Sequence, residues 1–181
     1  ADDQDRLAFH SEEYVACLKE AGALADGAEM KEELRSRCEE SGLVADCHWF
    51  PGMFEYCAAI AGSSLAAANE LLAGASRVVN FAGGRHHSKR DSAGGFCYVN
   101  DIVLCILRLL SGSPPPSSVP SGIASSSSQR KRFERVLYID IDVHHGNGVE
   151  SAFYLSENVF CLSFHMRAPG FYPGTGNLED A

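Results

Sequence analysis

The segment RVLYIDIDVHHGNGVE, residues 135 to 150, ends an apolar run in Asp140, Asp142, His144 and His145. Side chains of an extended chain alternate between faces, so Asp140, Asp142 and His144, spaced by two, point the same way. Carboxylate oxygens and neutral imidazoles together suit zinc or a similar divalent ion. A catalytic zinc needs three protein ligands and one position left for water. Asp142 and His144 can supply two of the three. Zinc lowers the pKa of its bound water from about 15.7 to roughly 7, and a neighbouring histidine can then take the proton. His86 and His87, which follow a short apolar segment and the Gly83–Gly84 turn, are the candidates for that base.

A single Asp or His at a strand end is ordinarily a turn or surface group. Two histidine pairs combined with alternating aspartates are not. His10 and His48 lack such company and read as structural or surface groups. Gly94 and Gly95 read by default as turn residues and Phe96 as core. Cys97 reads as a buried thiol, because no base stands beside it in the sequence.

Elements must carry these groups to one place. Residues 8 to 40 read as helical, with Tyr14, Val15, Leu18 and Ala21 at helical spacing behind a Ser11 cap. Residues 52 to 74 read as one long packed helix, with Phe54, Ala58, Ala61, Leu65, Ala68 and Leu72 on its buried stripe. A short strand at 77 to 84, a buried helix at 96 to 110, a strand at 135 to 142, a helical or turn segment at 148 to 156 and a strand at 158 to 165 follow. Strands alternating with helices predict a parallel sheet with covered faces, and sites in such sheets lie beyond the carboxyl ends of the strands. The Ser- and Pro-rich stretch at 111 to 130 cannot bury enough apolar surface to offset its ordering entropy, and reads as a solvated insertion.

The chain has 181 residues, 45% of them hydrophobic, which is enough for a sizeable core in one domain or a large part of one. Its net charge of −9 argues against direct binding to a nucleic-acid backbone and suits a basic peptide better. Seven cysteines, an odd number without a C-x-x-C pair, read as reduced intracellular thiols. Neither a secretory leader nor an apolar run of about 18 residues is found, so no membrane attachment is expected.

Three blocks, GGRHHSKRDSAGGFCYVNDIVLCILRLL, RVLYIDIDVHHGNGVE and SFHMRAPGFYPGTGNLED, resemble successive motifs of the class I zinc-dependent histone deacetylases, over the chain from about Phe9 onward. The resemblance implies an arginase/deacetylase α/β fold, an open parallel sheet between helical layers. The implied activity is hydrolysis of the acetyl amide on Nε-acetyl-lysine, in histone tails or other proteins. It also implies the residue roles. Asp142 and His144 bind zinc, His87 is the general base, and His86 tunes the site while Asp140 holds it. Gly95, Phe96 and Tyr172 wall a tube for the lysine stem, Tyr172 standing where the family usually has Phe. Asp46 grips the substrate backbone. Structural potassium is implied at Asp140, Asp142, His144, Ser163 and Phe164, and a second potassium at Phe153, Ser156 and Val159. Corepressor partners and residence in the nucleus or cytoplasm follow from family habit.

Four further positions depart from the pattern. Asn147 stands where the base usually has an Asp partner, which predicts a lower pKa at His87. Arg85 replaces the usual Trp or Leu, and Ala45 and His48 replace Tyr and Pro around Asp46. The family's third zinc ligand and its transition-state tyrosine are expected in sequence that would follow Ala181, and its first strand before residue 1. The chain therefore reads as a partial catalytic domain, inactive alone. A non-catalytic interaction module and a deacetylase of small molecules such as acetylpolyamines are the alternatives.

Overall fold

A computed structural model of the chain describes residues 9–112 and 132–180. Most of the predicted insertion, from 113 onward, lies outside the described residues. Helix α1 (Glu12–Gly22) begins where predicted: the Ser11 side chain accepts the Tyr14 N–H, and Tyr14, Val15, Leu18 and Ala21 are buried. The helical reading of residues 8 to 40 resolves into two helices. Gly27 at φ 73° turns the chain, and α2 (Glu32–Glu40) follows as a separate piece that buries Cys38.

Helix α3 (Met53–Ala73) is the long element expected, but its buried stripe is rotated from the predicted one. Ala61, Leu65 and Ala68 are inside; Met53, Cys57, Ile60 and Ser64 complete the face. It starts and stops at left-handed glycines, Gly52 and Gly74, where a Cβ would be strained. Helix α4 (Asp101–Ser111) packs along α3 and begins five residues later than predicted. The reason lies at Phe96, whose φ of 62° is incompatible with a helix, and at a narrow bridge between Gly94 and Cys97. Phe96 is exposed and not core.

Strand β1 (Val136–Asp140), helix α5 (Asn147–Phe153) and strand β2 (Val159–Ser163) form a βαβ unit whose strands pair in parallel, Val136 with Val159 through Asp140 with Ser163. Two cores hold the molecule together. One gathers Tyr14, Leu18, Leu43, Met53 and Val99 around α1 and α2; the other joins α3 and α4 to the βαβ unit through Leu65, Val103, Leu104, Val149 and Val159. The opposite face of the sheet, with Leu137, Ile139, Phe160 and Leu162, is exposed.

The strand predicted at 77 to 84 is absent. These residues join no ladder, the chain bends at 81 and 82, and Val79 and Phe81 face solvent. Only two strands are found among the described residues, so the histidine pair reaches the carboxyl end of β1 from a loop and not from a second predicted strand.

Candidate active site

Asp140 closes β1, and the chain beyond it curls. The Asp142 amide donates to Asp140 Oδ1 at 2.9 Å and the His144 amide to Asp142 Oδ1 at 2.7 Å. The expected alternation of 140, 142 and 144 along a straight strand is thus replaced by two successive side-chain-capped turns. They still gather the groups: His144 Nδ1 lies 3.1 Å from Asp142 Oδ1.

The loop 84–90 supplies the other pair. His86 and His87 are buried, with ring centroids 3.9 Å apart. His86 Nδ1 lies 2.6 Å from Asp140 Oδ2 and its Nε2 lies 3.9 Å from Asp142 Oδ1. His87 Nδ1 lies 2.9 Å from Asn147 Oδ1, and its ring sits 5.9 Å from that of His144. Because a carboxylate and an amide oxygen only accept, Nδ1 of each ring is the donor in these two contacts. The four residues 86, 87, 142 and 144 therefore share one crevice.

Electrostatics follow from the surroundings. Burial pushes the Asp140 carboxyl up, but the His86 ring, the Tyr138 hydroxyl at 2.5 Å and the Asp142 amide outweigh it and hold the group down at about 2. Asp142 is likewise drawn below the ordinary range, the His144 amide and ring overcoming its own desolvation. The His87 pKa is lowered, chiefly by burial, while the Asn147 hydrogen bond opposes the shift and the His86 and His144 rings add to it. The low basicity expected from Asn147 thus has desolvation as its largest source.

Two donors bound at about 2.0–2.2 Å to one tetrahedral ion lie roughly 3.4 Å apart. His144 Nδ1 donates to Asp142 Oδ1 at 3.1 Å, and loss of that proton would leave two ligand atoms near this spacing. No group of three or more metal-binding side chains is found among the described residues. Of the residues assigned to potassium, Asp140, Asp142, His144, Ser163 and Phe164 lie at the adjacent ends of β1 and β2, where Phe164 N–H donates to the Asp140 carbonyl. Phe153, Ser156 and Val159 lie where α5 passes into β2, and Ser156 N–H donates to the Phe153 carbonyl.

The predicted substrate residues stand on one side of the crevice. Tyr172 is set edge-on to His87 at 4.9 Å, its hydroxyl against Gly94 and Gly95. A Cβ on Gly95 would collide with the His87 ring, so only glycine lets the loop pass. Asp46 is exposed and accepts the Gly95 N–H at 3.1 Å. Arg85 donates to the Tyr56 hydroxyl at 3.0 Å, away from the imidazoles of the next two residues. His10 is buried and structural, His48 exposed, and Cys97 a buried thiol with a raised pKa.

Sequence reasoning missed Phe171, which stacks on His144 at 5.1 Å with ring planes 8° apart. Its place beside Tyr172 in the Gly- and Pro-flanked GFYPG turn was the available signal. It also missed Tyr138, Asn100 and Asp101, for which spacing alone gave none.

Comparison with known proteins adds an independent line. The whole chain, residues 1–181, matches the family pattern described as histone deacetylase domain. It is 40% identical to histone deacetylase 8 of Xenopus tropicalis over 178 residues, covering 98% of this chain and 41% of that protein. It is 41% identical to histone deacetylase B of Dictyostelium discoideum, covering 99% of this chain and 37% of that protein. It is 43% identical to histone deacetylase 6 of Arabidopsis thaliana over 183 residues, covering 99% of this chain and 33% of that protein. The chain spans less than half the length of these relatives.

Proposed function

This chain belongs to the histone deacetylase domain family, and from that premise we propose that its crevice serves the zinc-dependent hydrolysis of Nε-acetyl-lysine in histone tails or other proteins. The observation that carries the proposal is the meeting of His86 and His87 with Asp142 and His144, each inner imidazole held from behind by a single oxygen partner.

Asp142 and His144 would hold the ion, and the reading requires a carboxylate as third ligand besides them. Bound zinc supplies a polarised carbonyl and a water acidic enough to attack at neutral pH. His87 takes the water's proton at Nε2, since its Nδ1 is committed to Asn147. His86, fixed by Asp140, keeps its Nε2 directed at the same space and donates or accepts as the leaving amine requires. Asn147 orients His87 but brings no negative charge to stabilise the imidazolium, which is consistent with a base that works at low pKa. Gly95, Phe96 and Tyr172 flank the lysine stem, and Asp46, anchored through one oxygen to Gly95, offers the other to a peptide amide. Potassium at the ends of β1 and β2 and at the α5–β2 passage is part of the same proposal, as are the three-layer sheet, the corepressor partners and the nuclear or cytoplasmic setting.

The test is acetate release from an acetyl-lysine histone-tail peptide by zinc-loaded protein in which this chain is carried at the length of its relatives. Release that His87→Ala abolishes supports the reading; none from the loaded protein overturns it. One observation favours a second reading, a non-catalytic module that binds acetylated tails: the base partner is a neutral amide. Zinc stoichiometry with peptide binding but no turnover would be its signature. Preferred turnover of an acetylpolyamine over the peptide would instead point to a small-molecule deacetylase.

A further inference from the structure

The loop that carries His86 and His87 lies outside any strand, yet its backbone is held at several points, three of them by side chains at the start of α4. Asp101, at the first position of α4, is 1% exposed and has no part in the chemistry above. Its Oδ2 accepts the Gly84 amide at 3.0 Å and the Ser64 hydroxyl at 2.5 Å, and its Oδ1 accepts the Arg85 amide at 2.8 Å. The preceding residue, Asn100, is fully buried; its side chain donates to the Ser88 carbonyl at 2.9 Å while accepting the Val103 N–H as the α4 cap. The same residue's amide reaches His10 Nε2, whose Nδ1 donates to the Arg90 carbonyl.

We infer that Asp101 and Asn100 are positioning residues: two consecutive side chains at the start of α4 grip the backbone on both sides of the histidine pair and set where the imidazoles point. Buried backbone groups must find partners, and a loop without a ladder must find them in side chains. Residues 84 and 85 are held by a carboxylate, 88 by an amide, and the 86 carbonyl by the Gly148 N–H of α5 at 3.0 Å. With the main chain fixed at these points, the two side chains have one route each, His86 to Asp140 and His87 to Asn147. Gly83 fits the same scheme, since a Cβ there would strike Asp101 Oδ2. The word "positioning" rests on the catalytic reading of His86 and His87; the grip itself does not.

The experiment is nuclear magnetic resonance on the chain itself, metal-free. In the unsubstituted protein the Gly84 and Arg85 amides are expected to exchange as slowly as those inside α4, such as Leu104, although both residues border solvent. Exchange at open-loop rates overturns the inference. In Asp101→Asn the Gly84 and Arg85 amides should exchange at least ~10-fold faster, and the Nδ1–H signals of His86 and His87 should shift or broaden, with Leu18 in the other core still protected. Imidazole signals that stay put in a folded Asp101→Asn overturn it, because a purely stabilising residue would leave them unmoved. Should that variant not fold, Ser64→Ala decides. It removes one bond to Oδ2 and keeps both backbone contacts, so smaller displacements of the same signals are expected, and none would count against the inference. No readout uses turnover, so failure here and failure of the deacetylase reading are distinguishable.

Discussion

His86 Nδ1 and Asp140 Oδ2, separated by 54 positions in the chain, lie 2.6 Å apart in a buried contact that ties the histidine loop to the end of β1. It is the shortest link between the two halves of the crevice, and the Tyr138 hydroxyl shares the same oxygen.

Replacing that acceptor tests the link. Asp140→Asn keeps the shape but removes the charge, and hydrogen bonds to a charged group contribute about 1.5–3 kcal/mol. Urea unfolding should register a loss of about 2 kcal/mol. Zinc affinity, read by competition with a chelating dye, should fall roughly 10–100-fold, as for other residues that hold a ligand in place, since Asp140 Oδ1 also accepts the Asp142 amide.

Much of this arrangement was legible in the residues, and the parts that were not have a common cause. The strands 136–140 and 159–163 and helix α1 follow from local periodicity and a local cap, which tertiary contacts here reinforce. The segment 77–84 has β-branched and aromatic residues but no partner strand among the described residues, and its end at Gly84 and Arg85 is held by one side chain, Asp101, 17 and 16 positions downstream. Asp140, Asp142 and His144, expected to align along a pleated strand, are linked by successive turns. Phe96 failed as core because its left-handed backbone turns it outward.

Gly148 gives a sharper test, because helix propensity and packing oppose each other. Ala is favoured over Gly in a helix by about 1 kcal/mol. Here, however, an added Cβ would lie 2.5 Å from both the His86 and the Ser88 carbonyl oxygens. Gly148→Ala is therefore expected to destabilise by about 1–3 kcal/mol in chemical denaturation, against the propensity scale, and to disturb the His86 signal.

Phe171 should matter through His144. Phe171→Ala removes a flat ring stack whose contribution is of order 0.5–1.5 kcal/mol. Zinc affinity measured by dye competition should drop by up to about tenfold, while Phe171→Tyr, which keeps the ring, should stay close to the unsubstituted value.

His10 predicts a pH dependence of stability unconnected with the crevice. Burial lowers its pKa to about 4 from an ordinary 6.5, overcoming its hydrogen bond to the Arg90 carbonyl. The unfolded chain binds this proton first on acidification. The contribution is fully present above pH 6.5, declines as the pH falls and is lost below about 4, a total of about 3 kcal/mol. Denaturation midpoints recorded across that window should fall steadily, and in His10→Gln this component of the slope should vanish.

The bare side of the β1–β2 sheet has a practical consequence for anyone handling the polypeptide. Leu137, Ile139, Phe160 and Leu162 present a greasy strip to water, flanked by strand edges that pair with no further strand among the described residues. Such a surface invites self-adhesion: ammonium sulfate should salt the protein out early, hydrophobic resins should retain it, and chaperones that grip apolar strands should co-purify. A single lysine at Ile139 is the economical remedy, since that side chain points into solvent and not into either core.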